Sequence, residues 1–63
     1  MHRIKETAQA QGLDAAKLSR RADVSYKTVW LIWKDPTRSI RPAILAKIAQ
    51  ALGVEPGELI EGG

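Results

Sequence analysis

Apolar positions recur along this chain at helical spacing, broken by short runs of glycine, proline and small polar residues. Ile4 and Ala8 stand one turn apart in a first predicted helix over residues 2–11. Gly12 ends it, at the position where a helix most often closes in the left-handed conformation. Leu13 leads into Asp14, an N-cap for a second helix over 15–22 whose inner face is Ala15, Leu18, Ser19 and Ala22. The break Ala22-Asp23-Val24 is very short, and aspartate tolerates the left-handed turn it requires better than most residues. Ser25 caps a third helix over 26–34, with Thr28 three residues on. Asp35-Pro36 stops that helix, since the residue before a proline is pushed out of the α region. After a polar loop, Pro42 fits the first turn of a fourth helix over 42–52, ended by Gly53. Pro56 opens a short fifth helix over 56–61 that holds Leu59 and Ile60. Strand signals are missing: there are no alternating runs, no Asn-Gly hairpin and few β-branched residues. No internal repeat or low-complexity segment interrupts the pattern. These spacings predict an all-α, compact five-helix bundle forming one domain over 1–63. Its expected core is Ile4, Ala8, Leu13, Leu18, Ala22, Val24, Val29, Ile32, Trp33, Leu45, Ile48, Leu52 and Leu59.

The third helix departs from the ordinary surface pattern. At about 100° per residue, Val29, Ile32 and Trp33 share one side, with Tyr26 at its edge. Lys27, Leu31 and Lys34 share the opposite side, with Trp30 beside them. An ordinary surface helix shows water only polar residues there. Aromatic and aliphatic groups set among lysines are what a binding surface displays.

Composition narrows the possibilities. A membrane-spanning helix needs about 20 mostly apolar residues, and Lys27, Lys34 and Asp35 interrupt the one apolar run. Met1-His2-Arg3-Ile4-Lys5-Glu6 leads into a polar stretch and not into the apolar core of a signal peptide. The chain has no cysteine, which removes disulfides and thiolate metal sites and fits a cytoplasmic protein. The single histidine, His2, has no evident partner with which to form a site. No nucleophile–base pair, carboxylate pair or metal-ligand cluster stands out, so the expectation is a non-enzyme without metal, cofactor or small-molecule ligand.

Charge changes the picture once it is divided along the chain. The net charge of +3 conceals a basic middle and an acidic end. Residues 15–47 carry eight lysines and arginines against Asp23 and Asp35, a net of +6. Residues 48–63 carry only Glu55, Glu58 and Glu61, a net of −3. Such asymmetry points to a polyanionic partner.

Two helices joined by a turn of three or four residues, the second basic and exposed, form a helix-turn-helix. The stretch L-D-A-A-K-L-S-R-R-A-D-V-S-Y-K-T-V-W-L-I-W-K from Leu13, with L-A-K-I-A-Q-A-L-G-V-E-P-G-E-L-I from Leu45, resembles the Cro/C1-type (XRE-like) helix-turn-helix family. The likeness covers nearly the whole chain, and its closing segment is the more diagnostic part. It implies the lambda-repressor-like fold. Two positions depart from the family pattern: Ser19 stands where alanine is usual in the second helix, and Asp23 where glycine is usual in the turn. Ser19 is still small enough for close helix approach, and Asp23 can take a positive φ at modest cost.

The resemblance implies a repressor-like regulator that binds double-stranded DNA, with the third helix in the major groove. Carried over by position, Ser25, Tyr26, Lys27 and Leu31 are the base-reading residues. Lys27 can donate to guanine O6 and N7, Leu31 can cover a thymine methyl, and Tyr26 offers a hydroxyl and a ring edge. Trp30 and Lys34 fall further along, toward the groove wall, as does Thr28. Backbone contacts are expected at the start of the second helix, from Ala15, Ala16 and Lys17. Arg38 and Arg41 are suited to the phosphates on the other side. Arg20 and Arg21 fit a solvated face as well as a phosphate contact. The apolar surface left for self-association, Trp30, Val54 and Ile60, is small, which predicts a monomer that pairs weakly and only on DNA. Two other readings fit the same basic, aromatic face: a helical protein-interaction module, and an antitoxin-type regulator with an acidic protein partner.

Overall fold

The computed structural model describes residues 1–60, and Glu61, the last residue of the predicted fifth helix, lies outside them. Four α-helices follow one another: α1 (Ile4–Ala10), α2 (Ala15–Ala22), α3 (Tyr26–Lys34) and α4 (Pro42–Leu52). A short 3-10 turn, Pro56–Leu59, closes the described chain. The predicted five-helix count is thus corrected to four α-helices and one turn. Pro56 starts the turn, but Ile60 is already extended (φ −107°, ψ 123°), so only four residues remain to wind.

The first predicted helix also shortens at both ends, from 2–11 to Ile4–Ala10. His2 is held extended instead. Its N–H donates to the Pro36 carbonyl at 2.8 Å, and the Arg3 N–H donates to Leu59 O at 2.8 Å. His2 also forms an isolated antiparallel bridge with Ile60. The two ends of the described chain are thereby tied to each other and to the loop that follows α3. His2 is only 3% exposed, and its Nε2 lies 3.0 Å from the Asp35 carbonyl oxygen. Its Nδ1 is buried without a partner. The histidine that shows no partner in the sequence is a structural tie between the N-terminus and the loop after α3.

At the other end of α1, Gly12 takes φ 76° and Gly53 closes α4 with φ 70°. Asp23 takes φ 57° at the end of α2, and it is the one non-glycine residue with positive φ among those described. That left-handed residue lets both its own N–H and the Val24 N–H reach back to Ser19 O. Two otherwise orphaned donors are satisfied within the turn. Ser19 is 8% exposed and its hydroxyl donates to Ala16 O at 2.8 Å, so the polar group standing at a close-packed position is satisfied.

Val29 and Ile32 of α3 share one buried cluster with Leu18 and Ala22 of α2, Ile48, Ala49 and Leu52 of α4, and Ile4, Ala8 and Leu59. Here α3 packs chiefly on α2, and α2 in turn on α4. Ala15 and Ala49 join the predicted core. Trp33 and Leu45 do not enter it fully: both are half-buried and lean on its edge. An indole is rarely enclosed completely, and a domain this small has few neighbours to surround one. None of the described helices is long and apolar enough to cross a membrane.

Candidate nucleic-acid interface

The cap of α3 sets how its first turn meets solvent. Ser25 Oγ accepts the Thr28 N–H at 3.2 Å and its hydroxyl donates to Thr28 Oγ1 at 2.8 Å. The serine hydroxyl thus caps the helix and is linked to the Thr28 hydroxyl, and its oxygen keeps a second lone pair for a further partner. From there the helix buries Val29 and Ile32, half-buries Thr28, Leu31 and Trp33, and turns the remaining side chains toward water. Tyr26 is 53% exposed and Trp30 44%; Lys27 and Lys34 are exposed, and Leu31 is half-buried. The open face predicted for this helix is thus present, with Tyr26 on its solvent side and not in the core.

One group of cations lies beside α3, and a second lies on α2. Thr28, Arg38, Ser39 and Arg41 surround a cavity of about 330 Å³ whose floor is Ile32, Ile40 and Ile44. The loop carrying both arginines is braced by Asp35, whose Oδ1 accepts from the Thr37 N–H at 3.0 Å and from its hydroxyl at 2.6 Å. The Arg38 N–H adds a bond to the Asp35 carbonyl at 3.1 Å. Those two bonds from Thr37 hold the Asp35 carboxyl below its ordinary pKa, with the Arg38 charge a smaller contribution. Arg41 is the N-cap residue of α4, so its backbone is fixed by the helix it begins.

On the α2 side, Lys17, Arg20 and Arg21 gather with Leu13 around a second open cavity, of about 340 Å³. Arg20 and Arg21 were undecided on sequence. Their spacing of three and four residues from Lys17 is the signal that puts all three on one helical stripe. The start of α2 offers less than expected. The Lys17 N–H is already taken by Asp14 Oδ1 at 2.8 Å, which leaves the first-turn amides of Ala15 and Ala16. Ala15 is buried and Ala16 half-buried, and the Asp14 carboxylate stands beside them.

Glu55 and Glu58 are engaged with each other's backbone at the 3-10 turn, the Glu55 N–H donating to Glu58 Oε2 at 2.7 Å. No cluster of three or more histidine, cysteine, aspartate or glutamate side chains able to hold a metal occurs among the described residues. The arrangement suits an extended polyanion: a helix with an exposed apolar and basic face, one set of cations beside it and a second on α2.

Compared with protein-family models, residues 3–61 match the one described as Cro/C1-type HTH DNA-binding domain. Neither the curated proteins nor the solved structures gave a significant match.

Proposed function

The chain belongs to the Cro/C1-type helix-turn-helix DNA-binding family, a family of DNA binding and transcription regulation, and we propose that it is a repressor-like regulator that reads double-stranded DNA by sequence. In this reading α3 lies in the major groove. Lys27 meets a base edge, Tyr26 and Leu31 contact bases beside it, and Trp30 and Lys34 run toward the groove wall. Ser25, which also caps α3, reads a base edge at the first turn, and Thr28 lies toward the groove wall. Arg38 and Arg41 hold the backbone on that side. On the other side Lys17, now with Arg20 and Arg21, and the amides of Ala15 and Ala16 hold it at the start of α2. Catalysis, metal and cofactor have no part in this function, which is exercised in the cytoplasm, where the DNA is.

The observation that carries the reading is the open face of α3, where Tyr26, Lys27, Trp30 and Lys34 are all exposed and the Arg38 and Arg41 group lies beside the helix at Thr28 and Ile32. A protein with only a solvated basic surface has no reason to leave two large aromatics in water beside it. Titrating duplex binding against salt tests this. Neutralising several phosphates imposes a steep fall of log K with log salt, about 0.9 units per phosphate neutralised. A nearly flat slope overturns it.

A monomer in solution goes with this reading. Ile60 is 41% exposed and Val54 half-buried, far short of the ~800 Å² per partner that a stable interface buries. Pairing is left to DNA, where neighbouring half-sites raise the effective concentration of a second copy.

A further inference from the structure

Between Tyr26 and Lys34, α3 carries no arginine, asparagine, glutamine, aspartate or glutamate. Those side chains supply most of the paired hydrogen bonds by which proteins read base edges. Its open face offers instead two lysines and three apolar groups: Tyr26 and Trp30, 53% and 44% exposed, and Leu31, half-buried. At about 100° per residue the two aromatics lie on one flank of the lysines and Leu31 on the other. The Ser25 hydroxyl caps the helix and is linked to Thr28, and Thr28 sits on the side of Arg38 and Arg41.

The major groove offers such a surface one apolar feature, the C5-methyl of thymine. We propose that α3 selects DNA by C5-methyl groups, packing thymine, or 5-methylcytosine in its place, against Tyr26, Trp30 and Leu31 while Lys27 donates to a guanine. The inference rests on α3 being the major-groove helix. A protein partner covering the same apolar groups is disfavoured by the lysines set between them. It would have to bury Lys27 and Lys34 ammonium groups, which is costly without paired acceptors. In the groove those charges face guanine acceptors and phosphates.

Two pairs of synthetic duplexes that differ in the C5-methyl test this without knowledge of an operator. They are alternating poly(dA-dT) against poly(dA-dU), and poly(dG-dC) against its 5-methylcytosine form. The methylated member of each pair binds tighter, by about fourfold for each methyl covered, the value of burying one CH₂-sized group. The salt slope is the same within a pair, because the phosphate contacts do not change. Trp30→Ser and Leu31→Ser, each checked for helicity by circular dichroism, shrink the gap in both pairs, and Tyr26→Ser does so independently. Equal affinity within both pairs, or a gap that survives all three substitutions, overturns the proposal; that is also the outcome if the patch serves a protein partner. Duplex binding without a methyl effect overturns this inference alone. Failure to bind any of the four duplexes overturns it together with the DNA-reading role of α3.

Discussion

Ser25 and Thr28 form a reciprocal pair: the serine oxygen accepts the threonine N–H at 3.2 Å while its hydroxyl donates to Thr28 Oγ1 at 2.8 Å. One residue thus starts α3 and links its neighbour's hydroxyl to the cap. Ser25→Ala removes the cap and lowers stability by about 1 kcal/mol, measured by urea unfolding. Thr28→Val keeps the side-chain shape but removes the hydroxyl that the proposed reading places at the backbone. It weakens every duplex alike, by about tenfold, the value of a hydrogen bond to a charged acceptor.

Lys27 and Arg41 separate base reading from backbone holding. Lys27→Ala costs about 1–3 kcal/mol on the preferred site and relaxes the preference at one base pair. Arg41→Ala weakens all duplexes similarly and makes the salt slope shallower by about one unit. Fluorescence anisotropy on matched and single-mismatch duplexes measures both. Identical behaviour of the two variants contradicts the assigned roles.

The two tryptophans stand at different depths. Trp33 is half-buried against the core, so Trp33→Ala costs about 2–4 kcal/mol, below the loss for a fully enclosed indole. In a domain this small that lowers Tm by about 10–25 °C. Trp30 is 44% exposed, so Trp30→Ala leaves Tm nearly unchanged. On single-tryptophan variants, acrylamide quenches Trp30 more strongly than Trp33. Equal quenching means that α3 is rotated from the orientation described.

Asp35 ties folding of the arginine loop to pH. Bonds from the Thr37 hydroxyl and N–H lower its folded pKa from the ordinary 3.8. A carboxylate with a depressed folded pKa binds fewer protons in the native state than in the unfolded one. Its contribution is complete above the unfolded pKa and is lost as pH falls through the folded value. Tm therefore falls as pH drops below about 4, and Asp35→Asn makes that fall shallower while lowering Tm slightly at neutral pH. The group is solvent-exposed, so the effect is small. An unchanged acid profile in Asp35→Asn contradicts it.

Much of this fold is legible in the sequence because its boundaries are set by short-range chemistry. Asp14, Ser25, Gly12, Gly53 and Pro42 act on neighbours within four residues, and each stands where a helix begins or ends. The face of α3 is legible for the same reason, since 3.6-residue periodicity alone sorts Val29 and Ile32 from Lys27 and Lys34. The extended N-terminus is not legible. His2 takes its partner in Asp35, a separation of 33 residues, and no local pattern announces that bond. The last helix becomes a 3-10 turn for a related reason, because Ile60 is drawn out to pair with His2. The half-burial of Trp33 depends on how many neighbours reach it, which periodicity does not count. On the exposed face of α3, the link between the Ser25 and Thr28 hydroxyls is one that sequence spacing permits but does not require.

The central claim is that α3 reads duplex DNA by sequence, and selection from a random duplex pool at moderate salt tests it most directly. A single enriched motif is predicted, thymine-rich around a guanine, with the guanine preference lost when the selection is repeated with Lys27→Ala. A pool that stays random after repeated rounds, at salt where duplex is still bound, contradicts the claim.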